Sequence, residues 1–510
     1  MNISDHSLRQ LDEAYVTSLD EAALRGLSLR LLADLKEARE RLNQNSGNSS
    51  RPPSSQAPWE KSSALDTEAL KGVGEGEAAA GEGSEPAEEV PEDEERRAET
   101  TPRPPRRAGK PIGAPGHGRL APERVDGEES HVALACGGCG HSLSGRASVA
   151  YTGHHAVDLV RAAAGWTVRW TRHLWYDTRC PCGHLTRAEP PRWQADGVAM
   201  GGFRLIGPGL AALIVALALR YRLSRARIRE FLADWLGVSL SVGALHAVIE
   251  ETGAAVAPVE AELIRAVQAS GLLHADETPW PERGACLWLW VFTAAHVTLY
   301  YVSHRGQELA RNLLEDFAGV LMSDGWQAYR WWPRRLRCWA HLKRKAVGLT
   351  ESFSPEAQTF GREVLALWNT LWEAVQAARD GPPGSLRSEW SERLGAFRTC
   401  CETHRDSPHA KTRALAGEFL NDWEAIFAVL DDPRGPLTNN AAERALRHWV
   451  ILRRITYGTR TERGSRQLAL LASVIDTCRQ RGHSPWDYLR DTLTQRRQGL
   501  AVPPLPAVGG

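Results

Sequence analysis

No apolar stretch in this sequence is long enough to cross a bilayer. The longest, Gly209 to Leu219, is about half of the roughly 20 residues a spanning helix needs and is expected to be a buried helix. A secretory pattern is also missing, because Asp5, Asp12 and Glu13 occupy the opening where basic and then apolar residues would stand. Nor do the nine cysteines form a disulfide framework. Four make two close pairs, Cys136 with Cys139 and Cys180 with Cys182, and the rest are scattered. Reduced thiols, metal ligation and a cytoplasmic location with no membrane partner are the expectation. Net charge is absent as well, at zero overall, but the balance is uneven. Residues 1–102 hold 22 acidic and 11 basic side chains, leaving 51 basic against 40 acidic in 103–510. A basic body behind an acidic leader is the footprint of a polyanionic partner.

A chain of 510 residues exceeds one ordinary core, so a multidomain α/β protein is expected. Within 1–43, Leu24, Leu31, Leu35 and Leu42 form a short heptad seam on a helix from about Glu21 to Asn43. Residues 44–119 are rich in Ser, Pro, Gly, Glu and Arg and read as a disordered linker. It is acidic from Glu75 to Glu99 and basic at Arg103, Arg106, Arg107, Lys110 and Arg119. In 120–198, Cys136, Cys139, Cys180 and Cys182 are the expected ligands of a structural Zn²⁺. A single residue separates Cys180 from Cys182, so His141 or His184 remains an alternative to one thiolate. Trp166, Val168, Trp170, Leu174 and Tyr176 alternate, which predicts a strand running into Cys180. Residues 199–268 read as a helical DNA-binding region of helix-turn-helix type. Gly237 stands at its break, Ser241 at the following cap, and Arg220, Arg222, Arg225, Arg227 and Arg229 surround the first helix. A purely structural helical hairpin fits the same pattern.

The chemistry concentrates after residue 270. Leu272-Leu-His-Ala-Asp276-Glu277 is an apolar run ending in carboxylates, with Pro279 expected to stop the strand and leave Asp276 at a sheet lip. A turn-opening aspartate is the plain alternative. Residues Leu287–Phe292 and Val297–Val302 predict a hairpin beside that strand. Gly319-Val-Leu-Met-Ser-Asp324 then repeats the motif of a strand ending in aspartate. Two such aspartates at one sheet edge repel unless a cation such as Mg²⁺ or Mn²⁺ intervenes. Glu277 is expected to turn away by strand alternation. Arg337, His341, Lys343, Arg344 and Lys345 follow Trp331 and Trp332, an aromatic and basic mixture suited to DNA. Residues 351–430 read as a helical block without chemistry. Asn440-Ala-Ala-Glu443 has capping-box spacing. The functional alternative places Glu443 in the acidic set, with Asn440, Arg444 and Arg447 toward DNA.

In this order the motifs resemble the insertion sequence 66 family of DDE transposases. They include Asn45-Ser-Gly-Asn-Ser-Ser-Arg-Pro-Pro-Ser-Ser55, Gly113-Ala-Pro-Gly-His-Gly118 and His274-Ala-Asp-Glu-Thr-Pro279. Ser323-Asp-Gly325, Cys338-Trp-Ala-His341, Thr438-Asn-Asn-Ala-Ala-Glu-Arg-Ala-Leu-Arg447 and Ser484-Pro-Trp-Asp-Tyr-Leu489 complete the series. The resemblance implies a ribonuclease H-like catalytic core over 269–350 and 431–460, a helical insertion over 351–430 and a helical tail over 461–510. It also implies catalytic acids at Asp276, Asp324 and Glu443, two Mg²⁺ or Mn²⁺ ions, and cleavage and strand transfer of element-end DNA into target DNA. A homo-oligomer that pairs two ends, and accessory proteins of the same element, are further implied partners. The alternatives are a catalytically degenerate zinc-containing DNA-binding regulator, or a ribonuclease H-like nuclease or resolvase.

Overall fold

The computed structural model describes residues 19–43, 122, 124–163, 165–379, 381 and 384–509. The expected linker, 44–119, lies outside the described residues, as does the side chain of Leu42. Helix α1 (Glu21–Asn43) begins where the Asp20 carboxylate accepts from the Ala23 N–H at 2.7 Å. Leu24, Leu31 and Leu35 of the expected seam are exposed.

A four-stranded sheet follows, built on the long hairpin of β2 (Ser148–Ala162) and β3 (Gly165–Arg179). Strand β1 (Gly127–His131) pairs parallel to β3, and β4 (Leu185–Arg187) pairs antiparallel to it. The alternation expected for β3 is only partly kept. Trp166 lies at the exposed hairpin end, whereas Trp175 is buried. Trp175 belongs to the opposite face of β3 from the expected set and is covered there by the His131 and Phe203 rings, at 4.0 and 5.5 Å between centroids; the bulge between Ala150 and Thr152 lies in β2.

After a small hairpin, β5 (Arg192–Ala195) with β6 (Val198–Gly201), the apolar run becomes α2 (Pro208–Val215) and a π-helical turn (Ala216–Arg220). It is buried along nearly its whole length, as its composition demands. Helix α3 (Arg225–Leu236) is capped by Ser224 and closed by Gly237 at φ 63°. Ser241 then caps α4 (Val242–Ala255), before α5 (Glu260–Gln268).

The central sheet has strand order β11-β10-β7-β8-β9. Strands β7 (Leu272–Glu282), β8 (Ala285–Thr293) and β9 (Thr298–Ser303) form an antiparallel meander. Helix α6 (Gln307–Leu313) then crosses over to β10 (Val320–Ser323), which with β11 (Arg335–Arg337) runs parallel to β7. Contrary to expectation, Pro279 does not end β7, which stays paired with β8 to Glu282. The reason is the other edge. Strand β10 pairs with β7 only from Leu272 to His274, so Pro279 removes no ladder bond on that side.

The chain continues through α7 (Trp339–Thr350), α8 (Pro355–Arg379), α9 (Ser391–Thr403), α10 (Ala410–Asn421) and α11 (Trp423–Phe427). These helices share a core around Trp339, Trp368, Phe419 and Phe427 that also takes in Met322 and Leu336 of the sheet. The other large core joins the meander to α2, α4, α12 (Asn440–Thr456), α13 (Glu462–Gln480) and α14 (Pro485–Arg497). Helix α13 also closes the sheet edge. Its Ser473 and Thr477 hydroxyls accept from the Tyr300 and Thr298 N–H groups of β9 at 2.9 and 3.1 Å. An edge strand is thereby left no free donors at those positions. Among the described residues, no helix is long and apolar enough to cross a membrane.

Candidate active site

The parallel register sets the first two acids side by side. Leu321 pairs with Leu273 and Met322 with His274, so two further steps bring Asp324 level with Asp276. Each carboxylate is fixed locally: Asp276 Oδ1 accepts from the Glu277 N–H and Asp324 Oδ1 from the Trp326 N–H, both at 2.9 Å. Gly325 is dictated by packing. A Cβ there would stand 2.5 Å from an Arg337 guanidinium nitrogen and 2.7 Å from a Glu418 carboxylate oxygen. Glu443 reaches the same place from α12. With Leu446, Arg447 and Val450, at helical steps of three and four, it forms one wall of a cavity of about 810 Å³ that Asp276 and Asp324 also line.

Burial, followed by the charges of Asp324 and Glu277, raises the Asp276 carboxyl well above the usual carboxylate range. Burial also raises Glu443, with Arg344 and Arg447 opposing it. Carboxylates gathered in a recess with raised affinities for protons form a set that a cation would stabilise.

Glu277 departs from expectation. It lines the same cavity, because beyond His274 the free edge of β7 opens onto it. Arg305 Nη2 and the Tyr329 hydroxyl donate to its two oxygens at 3.0 Å each. Burial and the Asp324 charge push it up to about 7. The Arg305 guanidinium lies over both Trp288 and Trp326, at 4.0 and 4.6 Å from the ring centroids. Sequence reasoning missed Arg305, Tyr329 and Trp288, which carry no local motif.

The capping box expected at Asn440 is not formed. Asn439 occupies the N-cap position, and its side chain caps nothing. Fully buried, it instead donates from Nδ2 to the Ala275 carbonyl at 2.8 Å and accepts at Oδ1 from His274 Nδ1 at 3.1 Å. Its own N–H donates to Cys338 Sγ at 3.2 Å. This amide fastens the start of α12 to the strand that carries Asp276. Asn439→Ala is expected to cost about 2 kcal/mol by leaving a buried carbonyl and an imidazole unpaired. Urea unfolding of the two proteins measures it; an unchanged midpoint would remove Asn439 from this role.

The expected DNA-facing residues separate into groups. Arg447 and Lys345 line the cavity, with Lys345 Nζ also 2.5 Å from Glu418 Oε2. His341 lines it too, its Nε2 3.8 Å from Glu443 Oε1, and an Arg344 nitrogen lies 4.0 Å from that oxygen. These are contacts rather than hydrogen bonds. Glu443 Oε1, His341 Nδ1 and Arg344 Nη1 are all buried without a hydrogen-bond partner among the described residues. Burial and the neighbouring Arg344, Arg337 and Lys345 lower His341 to about 3, so it is neutral at pH 7. Lys343, Asn440 and Arg444 are exposed and outside the cavity lining.

Arg337 requires correction. It is fully buried and ion-paired with Glu418 and Asp422, because α10 and its flanking loop cover β11. It positions the backbone at Gly325 from behind and offers nothing to a phosphate.

The four paired cysteines also converge. Cys136 Sγ lies 3.7 Å from Cys182 Sγ and Cys139 Sγ 3.6 Å from Cys180 Sγ, and all four sulfurs lie within 4.8 Å of one another. The short Cys180–Cys182 spacing is accommodated because the close contacts cross between the two knuckles. His141 and His184 are not in this group.

Residues 204–467, just over half of the chain and including all three acids, match the model of the transposase IS66 family. The chain belongs to the IS66 transposase family. Residues 4–82 match a second model, described as a family of unknown function (DUF6444). Among curated proteins of Sinorhizobium fredii (strain NBRC 101917 / NGR234), the chain is 27% identical to the uncharacterized protein y4qI over 280 residues. That match covers 48% of this chain and 51% of the relative. It is 29% identical to the uncharacterized protein y4hP, covering 57% and 59%, and 25% identical to the uncharacterized protein y4jD, covering 72% and 74%. The chain thus spans between half and three-fifths of the first two relatives. The family membership accompanies a mixed α/β architecture in the described residues.

Proposed function

We propose that this IS66-family protein is a DDE transposase that cleaves insertion-element ends and joins them to target DNA. In this reading Asp276, Asp324 and Glu443 hold two divalent ions, Mg²⁺ or Mn²⁺. The observation that carries it is the convergence of three acids, from β7, the end of β10 and α12, on one cavity. The sheet supports a ribonuclease H-like core over 269–350 and 431–460: a three-stranded antiparallel meander, then two strands parallel to its first, with the helical insertion 351–430 between the second and third acids.

The donor set fits hard cations, being all carboxylate, and Glu443 Oε1 is buried without a partner. Bound there, the ions would supply Lewis-acid charge for in-line attack by water, and then by a DNA 3′-hydroxyl, on a phosphodiester. The protein's own residues do the positioning. The Glu277 and Trp326 N–H groups orient the two aspartates. Arg447 and Lys345 place positive charge where a phosphate would enter, and neutral His341 adds no further charge beside Glu443.

The same reading assigns structural Zn²⁺ to Cys136, Cys139, Cys180 and Cys182. Tetrahedral ligation with bonds of about 2.3 Å separates sulfurs by about 3.8 Å, close to the 3.6 and 3.7 Å gaps. It makes element-end and target DNA the partners, with the arginines around α3 tracking phosphates, and requires a multimer to hold two ends. Accessory proteins of the same element complete the expected assembly.

The test is an assay of the purified full chain with Mg²⁺ and labelled element-end duplex. Nicked ends bearing 3′-hydroxyls, followed by joined products, are expected, and Glu443→Gln should lose both. Nicking without any joining would make the protein a nuclease, and unaffected joining by the variant would unseat Glu443.

A further inference from the structure

The sheet that carries the cysteines holds a second set of ligand atoms that the four sulfurs do not use. Glu129 and His131 stand two residues apart on β1 and so share a face. The parallel register puts Glu129 opposite His173 and His131 opposite Trp175, on that same face of β3. His131 Nε2 lies 2.9 Å from His173 Nδ1, and Glu129 Oε2 lies 3.5 Å from His173 Nδ1. One ligand atom from each of the three residues falls within 4.8 Å of the others.

With metal–ligand bonds of about 2.0–2.1 Å, neighbouring ligand atoms stand about 2.9 Å apart at a right angle and about 3.4 Å apart at the tetrahedral angle. The 3.5 Å gap is near the tetrahedral value, and the 2.9 Å gap is that of a pair at a right angle. The rings are also held in place. His131 stacks on Trp175 with centroids 4.0 Å apart, and His173 stacks on His154 at 4.8 Å. Trp175 Nε1 in turn donates to His154 Nδ1 at 3.3 Å. An imidazole–imidazole hydrogen bond and a His173–Glu129 ion pair would each account for one contact; a shared ion accounts for both, which meet at the single His173 Nδ1.

The geometry points to a second metal site, Glu129–His131–His173, taking a borderline divalent ion such as Zn²⁺. Two imidazoles and a carboxylate suit that ion and leave a position for water. Glu129 is more than half exposed, so the site faces solvent and its ion exchanges more readily than one enclosed by four thiolates. Its structural consequence is a tie between β1, an edge strand of only five residues, and β3. Both segments lead into the cysteine knuckles, Cys136 five residues after His131 and Cys180 seven after His173. Two ions would then brace the same pair of segments.

The experiment is metal counting on the untagged full-length chain carrying Asp276→Asn, Asp324→Asn and Glu443→Gln, so that no ion in the acidic cavity is counted, equilibrated with Zn²⁺ and separately with Co²⁺. Two ions per chain are expected for this parent and one once His131→Gln and His173→Gln are added. In the Co²⁺ form the variant should keep the thiolate-to-metal charge-transfer band while losing one equivalent of cobalt. A chelator of graded strength should strip the first ion from the parent with that band unchanged, a readout that does not depend on the histidine substitutions. A single ion per parent chain, or two ions retained after the two histidine substitutions, overturns the proposal. Absence of the charge-transfer band would instead count against the four-cysteine site, so the two failures are distinguishable.

Discussion

Asp276→Asn should reduce Mg²⁺-dependent nicking of element-end DNA by about 10³-fold or more, the equivalent of losing about 4 kcal/mol of transition-state stabilisation. The same substitution should make the protein more stable at pH 8 when no divalent ion is added. Burial and the neighbouring Asp324 and Glu277 raise the folded-state affinity of Asp276 for its proton. Between the unfolded value, near 3.8, and the higher folded one, the folded state binds more protons than the unfolded chain. Stability therefore falls as pH rises through that window and stays low above it. Asparagine keeps the shape and carries no charge, so it removes the penalty at pH 8 and changes little near pH 4. Thermal midpoints at pH 5 and pH 8, with and without Mg²⁺, provide the check. Added Mg²⁺ should raise the wild-type midpoint most at pH 8, and the variant's much less. A variant that nicks normally, or is destabilised equally at both pH values, would remove Asp276 from the metal site.

The parts of this site that were legible in the sequence are those written within one element. An apolar run ending in Asp276 and another ending in Asp324 announce two strand ends, and the parallel register needs only the crossover helix between them. Glu443, Arg447 and the apolar residues between them follow from helical spacing. What stayed hidden depends on contacts between distant segments. Asn439 and Asn440 are indistinguishable as cap candidates until Ala275, 164 positions earlier, takes the Asn439 amide. Arg337 reads as one more basic residue in a basic run until Glu418, 81 positions later, closes over it. Such a buried ion pair contributes less to net stability than to fixing one arrangement, here the backbone behind Gly325. Alternation sends Asp276 and Glu277 to opposite faces of β7, but a cavity at an open strand edge is reached from both faces. Strand β10 stops too early to close that edge.

Removing zinc should produce the other large effect, confined to one part of the molecule. The buried cluster around the knuckles contains only Cys136, Leu143 and Cys180, with Ala133 packed against it. So small a core cannot offset the entropy of ordering two loops, whereas a structural zinc contributes about 10–16 kcal/mol of apparent binding free energy in small zinc domains. Cys136→Ser, or exposure to a strong zinc chelator, is therefore expected to unfold the knuckles at 132–147 and 180–188. The inner half of the hairpin should survive. Val157 is fully buried in the main core, and its N–H and carbonyl are hydrogen-bonded to Leu205 and Gly207. Limited proteolysis should accordingly cut within the two knuckles and spare the body from 204 onward. A thiol reagent should find Cys136, Cys139, Cys180 and Cys182 reactive only after chelation, while exposed Cys286 reacts throughout. Knuckle thiols that react at once in the untreated protein would show that no ion holds them. Cuts spread through the central sheet would show that the ion supports far more of the fold than this small core suggests.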